Sequence, residues 1–168
     1  MGAQFYMKRI TTLLLVGVLL TIGFVPLHVL EIRDVRKGKT VFVQGVSSGE
    51  TFSLTFIHSV EKSPVTDYFR IDDAFRIVLY ETAFRSLNTG LPATISEGQT
   101  LTRTAQGFRL SIIDRIFSDI QLWVDDSYAG ALEIGGRVIS LAALAGNTLL
   151  MVRVRKIPLW EYAFRTMC

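Results

Sequence analysis

The residues best suited to chemistry follow an apolar run that ends in a histidine. The run Thr51–Ile57 alternates apolar and polar side chains, as a β-strand with one buried face does. His58 continues the phase of Phe52, Leu54 and Phe56, so it is predicted to point toward the core. A polar side chain on a buried face needs a hydrogen-bonding partner. The pattern therefore predicts a carboxylate close to His58.

Two acids on the following strands are candidates for that carboxylate. Asp67 shares a strand face with Val65, and Glu81 alternates with Leu79. We take Glu81 as the best candidate partner of His58. Such a pair can fix strand register, bind a small polar ligand or a partner peptide, or act as an acid–base pair. The residues alone leave these three roles open.

Other reactions fit the sequence poorly, and we assign no catalytic residue. Ser59 lies beside His58, but adjacent strand residues face opposite sides, and no Gly-x-Ser-x-Gly motif occurs. One imidazole with carboxylates is a weak zinc set, so no metal and no cofactor is predicted. The only cysteine is Cys168, which excludes an intrachain disulfide. The sequence thus favours a non-enzymatic protein without excluding acid–base catalysis.

The elements that would position these residues are mostly short strands. Many alternating segments separated by turn signals predict an all-β fold, either an antiparallel β-sandwich or a small β-barrel. Gly135-Gly136 predicts a tight hairpin, Leu141–Ala145 one helical turn, and Asn88–Thr102 a long irregular loop. The predicted strands are Val41–Val46, Thr51–Ser59, Val65–Ile71, Phe75–Phe84, Gly107–Ile113, Asp119–Val124, Tyr128–Ile134, Arg137–Leu141 and Thr148–Arg155, with a further one possible at Val29–Val35.

An uncharged segment precedes the strands. Ile10–Leu30 holds 21 residues without a charge and follows Lys8 and Arg9. As a helix it would span about 31 Å, close to the ~30 Å hydrocarbon core of a bilayer. A cleaved signal peptide and a retained transmembrane anchor both fit. We favour the anchor, because no small-residue cleavage pattern follows the apolar core.

This organisation predicts three parts: an N-terminal transmembrane helix (1–30), a β-rich extracytoplasmic domain (31–156) and a C-terminal tail (157–168). The tail predicts a short amphipathic helix that either docks on a membrane or partner, or packs on the domain. The net charge is +3, but the basic residues gather at the two ends of the chain, so no contiguous basic face for nucleic acid is expected. The expected location is the inner membrane, with residues 10–30 in the lipid bilayer.

Three blocks of sequence resemble one bacterial family. The blocks are Ile57-His-Ser-Val-Glu61 with Pro64-Val65 and Asp67, Tyr80-Glu-Thr-x-Phe84, and Ser86-x-x-x-Gly-Leu-Pro92. They resemble the domain-of-unknown-function family 1850, and the resemblance extends roughly from Phe52 to Val154. Asn88 stands where that family commonly has glycine, so the loop around it is expected to be less tight.

The resemblance implies a role beside a solute transporter. Members of the family are often encoded next to permeases of TRAP-type tripartite transporters, particularly the TAXI class. It therefore implies a membrane-anchored accessory protein whose partner is such a permease or its solute-binding protein. The alternative is a small-ligand-binding or acid–base β-domain that uses His58 with Glu81 or Asp67. The site candidates, by the resemblance and by strand phase, are His58, Ser59, Glu61, Asp67, Glu81, Gly90 and Pro92.

Overall fold

A computed structural model describes residues 2–58, 62–86, 97–125 and 130–167. Within those ranges the chain forms eleven strands and three helices. In chain order they are α1 Gly2–Gly23, β1 Pro26–Asp34, β2 Lys39–Gly45, β3 Thr51–Ile57, β4 Pro64–Ile71, β5 Ile77–Phe84, β6 Thr100–Thr104, β7 Gly107–Phe117, β8 Ile120–Val124, β9 Ala131–Ile134, β10 Arg137–Ser140, α2 Leu141–Ala145, β11 Thr148–Pro158 and α3 Leu159–Met167.

The strands form two antiparallel sheets. Sheet A has the order β2-β1-β11-β8, and sheet B the order β10-β9-β3-β4-β5-β7-β6. One apolar core joins the two sheets, with Leu30 and Val152 from sheet A and Leu54, Phe69 and Leu132 from sheet B. The prediction of an all-β antiparallel fold is confirmed, and the arrangement is sandwich-like.

Most strands lie where alternation predicted them, because one face of each is buried. The hairpin at Gly135-Gly136 joins β9 to β10, and both glycines have positive φ values, 57° and 73°. Leu141–Ala145 is the short helix α2, as predicted. The sequence did not predict β6, a largely exposed edge strand that pairs with β7. Its mostly polar residues, Thr100–Thr104, lack an apolar alternation. Residues 88–96 of the predicted loop lie outside the described ranges.

The N-terminal helix ends earlier than the sequence predicted. Helix α1 stops at Gly23, and Pro26–Asp34 is a strand of sheet A, so assigning 26–30 to a helix was wrong. Val29 and Leu30 are 1% and 0% exposed. They belong to a strand buried on both faces, which gives an unbroken apolar run that cannot be told from a helix by periodicity. Among the described residues, no helix is both long and apolar enough to cross a membrane.

The C-terminal tail forms the predicted short helix. Helix α3 lies against β11 and β2 of sheet A and touches the end of α1. The backbone amide of Gly45 on β2 donates to the Tyr162 hydroxyl over 3.4 Å. This contact places α3 on the outer face of sheet A, away from sheet B.

Candidate functional site

A cleft of about 530 Å³ opens between β3 of sheet B and β8 of sheet A. Its lining is mostly apolar, with a few polar groups among the apolar side chains, as in many small-molecule sites. The lining residues are Leu54, Phe56, Ile57, His58, Asp67, Ile120, Gln121, Leu122, Trp123, Val124, Asp125 and Gly130.

The cleft follows from the unequal width of the two sheets. Strand β8 is the edge strand of sheet A, whereas β3 lies inside the wider sheet B. The deep end of β3 is closed, since Leu54 is 2% exposed, but Trp123 on β8 is 53% exposed. The wall formed by β8 is therefore open on one side among the described residues.

Asp67 is the acid that the fold brings to the cleft. On sheet B it pairs with Leu54 on β3 and with Thr82 on β5, so all three side chains lie on the inner face. The Thr82 hydroxyl donates to Asp67 Oδ1 over 2.7 Å. Burial raises the pKa of Asp67, and the hydrogen bond from Thr82 opposes this rise. A carboxyl in this state readily accepts a further hydrogen bond or a positive charge.

Glu81 does not share that face, contrary to the predicted strand phase. Strand β4 pairs Phe69 with Leu79 and Tyr68 with Glu81, so Tyr80 is an unpaired bulge residue. The bulge shifts the alternation by one residue and places Glu81 on the outer face. There its Oε1 accepts from Arg109 Nη1 over 2.7 Å.

His58 lines the cleft at the end of β3, together with Asp67. Its backbone amide donates to the carbonyl of Ser63 over 2.9 Å, and its carbonyl accepts from the Lys62 amide over 2.9 Å. These two bonds fix the histidine at the base of the β3–β4 connection. Predicting Glu81 as the partner of His58 was wrong, because the bulge puts the two on opposite faces of sheet B. The other predicted candidates, Ser59, Glu61, Gly90 and Pro92, lie outside the described residues.

Three residues of the site were not predicted: Trp123 and Gln121, which line the cleft, and Thr82, which donates to Asp67. Thr82 takes the inward place that alternation gave to Glu81, and only knowledge of the bulge would have shown this. Trp123 and Gln121 come from β8, whose position beside β3 depends on the sheet order. In the sequence, the one available signal was a tryptophan within a short predicted strand. Within the described ranges, no group of three or more His, Cys, Asp or Glu side chains is placed to hold a metal ion.

A fully buried carboxylate lies on the outer face of sheet A. Glu31 is 2% exposed, and its two oxygens accept from Arg153 Nε over 2.8 Å and from the Thr40 hydroxyl over 2.7 Å. Arg155 Nη1 and Arg165 Nη1 lie 3.3 Å and 3.6 Å from Glu31 Oε1. Burial alone would raise the pKa of Glu31, but the bonds from Thr40 and Arg153 and the charges of Arg153 and Arg155 lower it overall.

Together these features define a two-sheet antiparallel β-domain with an apolar cleft at one edge. Residues 52–141 match the family described as domain of unknown function (DUF1850), and the chain belongs to that family. The lining residues of the cleft all fall within the matched region, whereas β1 and β11 fall outside it. No curated protein and no solved structure matches the chain.

Proposed function

We propose that this protein is a ligand-binding accessory subunit of a TRAP-type (TAXI) solute transport system. The observation that carries the binding role is the cleft of about 530 Å³ with its apolar walls and inward Asp67. A cavity of this size accommodates a small organic molecule. The transporter context is supported by the sequence resemblance, since family members are often encoded beside such permeases.

The ligand in this proposal has an apolar body and a cationic or hydrogen-bond-donating group. Two carboxylates, Asp67 and Asp125, line the cleft, and no Lys or Arg is among its described lining residues. A charged amine would be stabilised by the half-buried carboxylate of Asp67, whereas an anionic ligand would be repelled. Phe56 offers aromatic surface to the apolar body.

We place the protein on the extracytoplasmic side of the inner membrane. In support of this, the segment after Lys8 and Arg9 is uncharged, and three of its leucines are largely exposed on the surface of α1. Leu13, Leu14 and Leu15 are 72%, 65% and 59% exposed. Side chains of this kind in water favour an apolar surrounding.

The partner is tested by affinity purification of the full chain from its native membranes in a mild detergent. A TRAP-type permease or its solute-binding protein should co-purify. Leu122→Trp places a larger side chain in the cleft and should reduce recovery of the partner if the partner binds through the cleft. Val138→Trp adds the same side chain on the exposed strand β10 and serves as the matched control. Absence of any such permease or binding protein would remove the transporter role.

The cleft is tested separately with two small probes of opposite charge. In a Trp160→Phe background, the emission of Trp123 should change saturably with 2-phenylethylamine and much less with phenylacetate. Asp67→Asn should weaken the response to 2-phenylethylamine and so reduce the difference between the responses to the two probes. Equal responses to both probes, or none, would exclude the proposed ligand class without affecting the transporter role.

The acid–base alternative loses one of its two predicted pairs. Glu81 lies on the outer face beside Arg109, so only His58 with Asp67 lines a common cavity. A binding role needs only the charge and hydrogen-bonding capacity of Asp67. We therefore base the proposed function on binding.

A further inference from the structure

Helix α3 is amphipathic in the reverse sense to most surface helices. Its polar side chains Glu161, Tyr162 and Arg165 are the half-buried ones and face the domain. Arg165 Nη1 donates to the Thr40 hydroxyl over 2.8 Å, and Arg165 Nε donates to Glu161 Oε1 over 2.9 Å. Polar contacts to sheet A thus fix the rotation of the helix about its axis.

That rotation turns the apolar side chains outward. Trp160, Phe164 and Met167 are 52%, 66% and 83% exposed. Surface helices normally bury such a stripe, and contiguous exposed apolar patches mark interaction sites. The outward side chains of α3 therefore form a surface suited to an apolar environment.

The surface continues into the segment that links α1 to β1. The backbone amide of Leu159 donates to the carbonyl of Val25 over 3.0 Å. Phe24 and Val25 are 68% and 53% exposed. We call Phe24, Val25, Leu159, Trp160, Phe164 and Met167 the apolar face. Helix α1 also contacts α3.

We infer that the apolar face inserts into the headgroup region of a bilayer that contains anionic lipid. Three guanidinium groups, those of Arg153, Arg155 and Arg165, meet beneath α3. Among the described residues, Glu31 and Glu161 are the acids paired with them, which leaves one positive charge in excess. This inference does not depend on the cleft or on a transporter.

The surrounding charges and side-chain types favour lipid over a protein partner. Exposed Lys156 on β11 adds a further cation close to the start of α3. Tryptophan and phenylalanine beside basic residues suit the interface between headgroups and acyl chains. Protein interfaces combine apolar contacts with about one hydrogen bond per 100–200 Å². The outward described residues of α3 carry two polar groups, the indole N–H of Trp160 and the hydroxyl of Thr166, and the hydroxyl already donates to carbonyls within the helix.

The test uses the full chain in a Trp123→Phe background, so that Trp160 is the only tryptophan. With phosphatidylcholine vesicles that contain phosphatidylglycerol, Trp160 emission should shift to the blue. Lipids brominated near the headgroup should quench it more strongly than lipids brominated near the chain ends. The protein should bind more weakly to vesicles of phosphatidylcholine alone, because these vesicles lack the negative surface charge that attracts the arginines and Lys156.

Paired variants separate the apolar face from general hydrophobicity. Phe164→Ser with Met167→Ser should lose most of the shielding of Trp160, as judged by renewed quenching with aqueous acrylamide. Ile116→Ser with Val138→Ser removes exposed apolar side chains from sheet B and should leave the shielding unchanged. Circular dichroism verifies that both double variants are folded.

Two results would overturn the inference. In the first, the protein binds vesicles while Trp160 remains as accessible to acrylamide as in water, which would mean that α1 alone holds the lipid. In the second, Trp160 becomes shielded without lipid as protein concentration rises, which would identify a second copy of the chain as the occupant.

Discussion

Glu31 and Asp67 are both carboxylates on sheet faces that point away from bulk water, yet their surroundings differ. Glu31 receives hydrogen bonds from Thr40, Arg153 and Arg155, and its pKa is lowered. Asp67 receives one side-chain hydrogen bond among the described residues, from the neutral Thr82, and its pKa is raised.

The difference separates a carboxylate that holds the fold together from one that can serve a ligand. The carboxylate of Glu31 accepts hydrogen bonds from Thr40 on β2 and Arg153 on β11, and Arg165 of α3 lies close to it. Glu31 therefore connects several elements of the fold. Asp67 costs free energy to keep ionised, because burial is only partly offset. A residue that the folded state tolerates at a cost is a better candidate for function than one that stabilises it.

Replacing Glu31 should give the largest effect on stability. Glu31→Gln leaves Arg153 and Arg155 without their counter-charge on a covered face. We expect a loss of about 2–3 kcal/mol in the free energy of unfolding, measured by urea denaturation at neutral pH. The folded-state pKa of Glu31 is below its ordinary value of 4.5, so its contribution is present above that pH and is lost as the pH falls through the lowered pKa.

Glu161→Gln is the matched control for Glu31. Glu161 pairs with Arg165 one turn away on α3 and is partly exposed, so its loss should cost less than about 1 kcal/mol. Equal costs for the two substitutions would show that the Glu31 cluster does not hold the elements together.

Asp67→Asn should have a smaller effect of opposite sign. The raised pKa means that ionised Asp67 adds no cost below its ordinary value of 3.8, and destabilises the folded state as the pH rises through the raised pKa. The free energy of unfolding of the variant, relative to that of the parent, should therefore rise by about 1 kcal/mol from acidic to neutral pH. Urea denaturation across that range measures the difference.

Asp114→Asn provides the comparison for Asp67. Asp114 pairs with Arg70 on the exposed face of sheet B, and its side chain is 52% exposed. Its substitution should change stability little and show no gain with rising pH. A loss of stability in Asp67→Asn at neutral pH would instead make Asp67 a structural residue like Glu31.

Glu81→Gln should give the smallest change. Its partner Arg109 is 48% exposed, and such pairs contribute about 0–1 kcal/mol. The strand phase predicted from sequence made Glu81 the buried partner of His58, for which a cost of about 1–3 kcal/mol would be expected. The melting temperatures of Glu81→Gln and His58→Ala distinguish the two placements of Glu81. A large and equal loss of stability in both variants would support the inward pair of His58 with Glu81 and contradict the outward placement.

Alternation was sufficient to predict most of the sheet framework. Strands such as β3, β4 and β8 bury one face, so their residue types record their orientation. Asp67 was correctly predicted to face inward because β4 is regular from Val65 to Asp67. The edge strand β6 is mostly polar and has no apolar alternation, so it was not predicted.

The errors arose where local pattern does not determine pairing. A bulge is visible only when a strand is compared with its partner, so the outward turn of Glu81 was hidden from the sequence. The boundary between α1 and β1 was hidden for a related reason, since Leu27, Val29 and Leu30 put apolar side chains on both faces of a covered strand. The cleft itself depends on which strands form the sheet edges, and the sequence does not state that order.

The unpaired Tyr80 also has a consequence for how the length of this chain can vary. Strand β5 is one residue longer than its pairing with β4 requires, because Phe69 pairs with Leu79 and Tyr68 with Glu81. Removing Tyr80 would restore plain alternation while keeping Glu81 outward and Thr82 inward. Deleting a residue between Glu81 and Phe84 would instead turn the buried side chain of Phe84 to the outer face of sheet B. Shortening of β5 at Tyr80 is therefore expected to keep the inward and outward faces of β5 relative to β4, whereas shortening in the three residues that follow Glu81 is not.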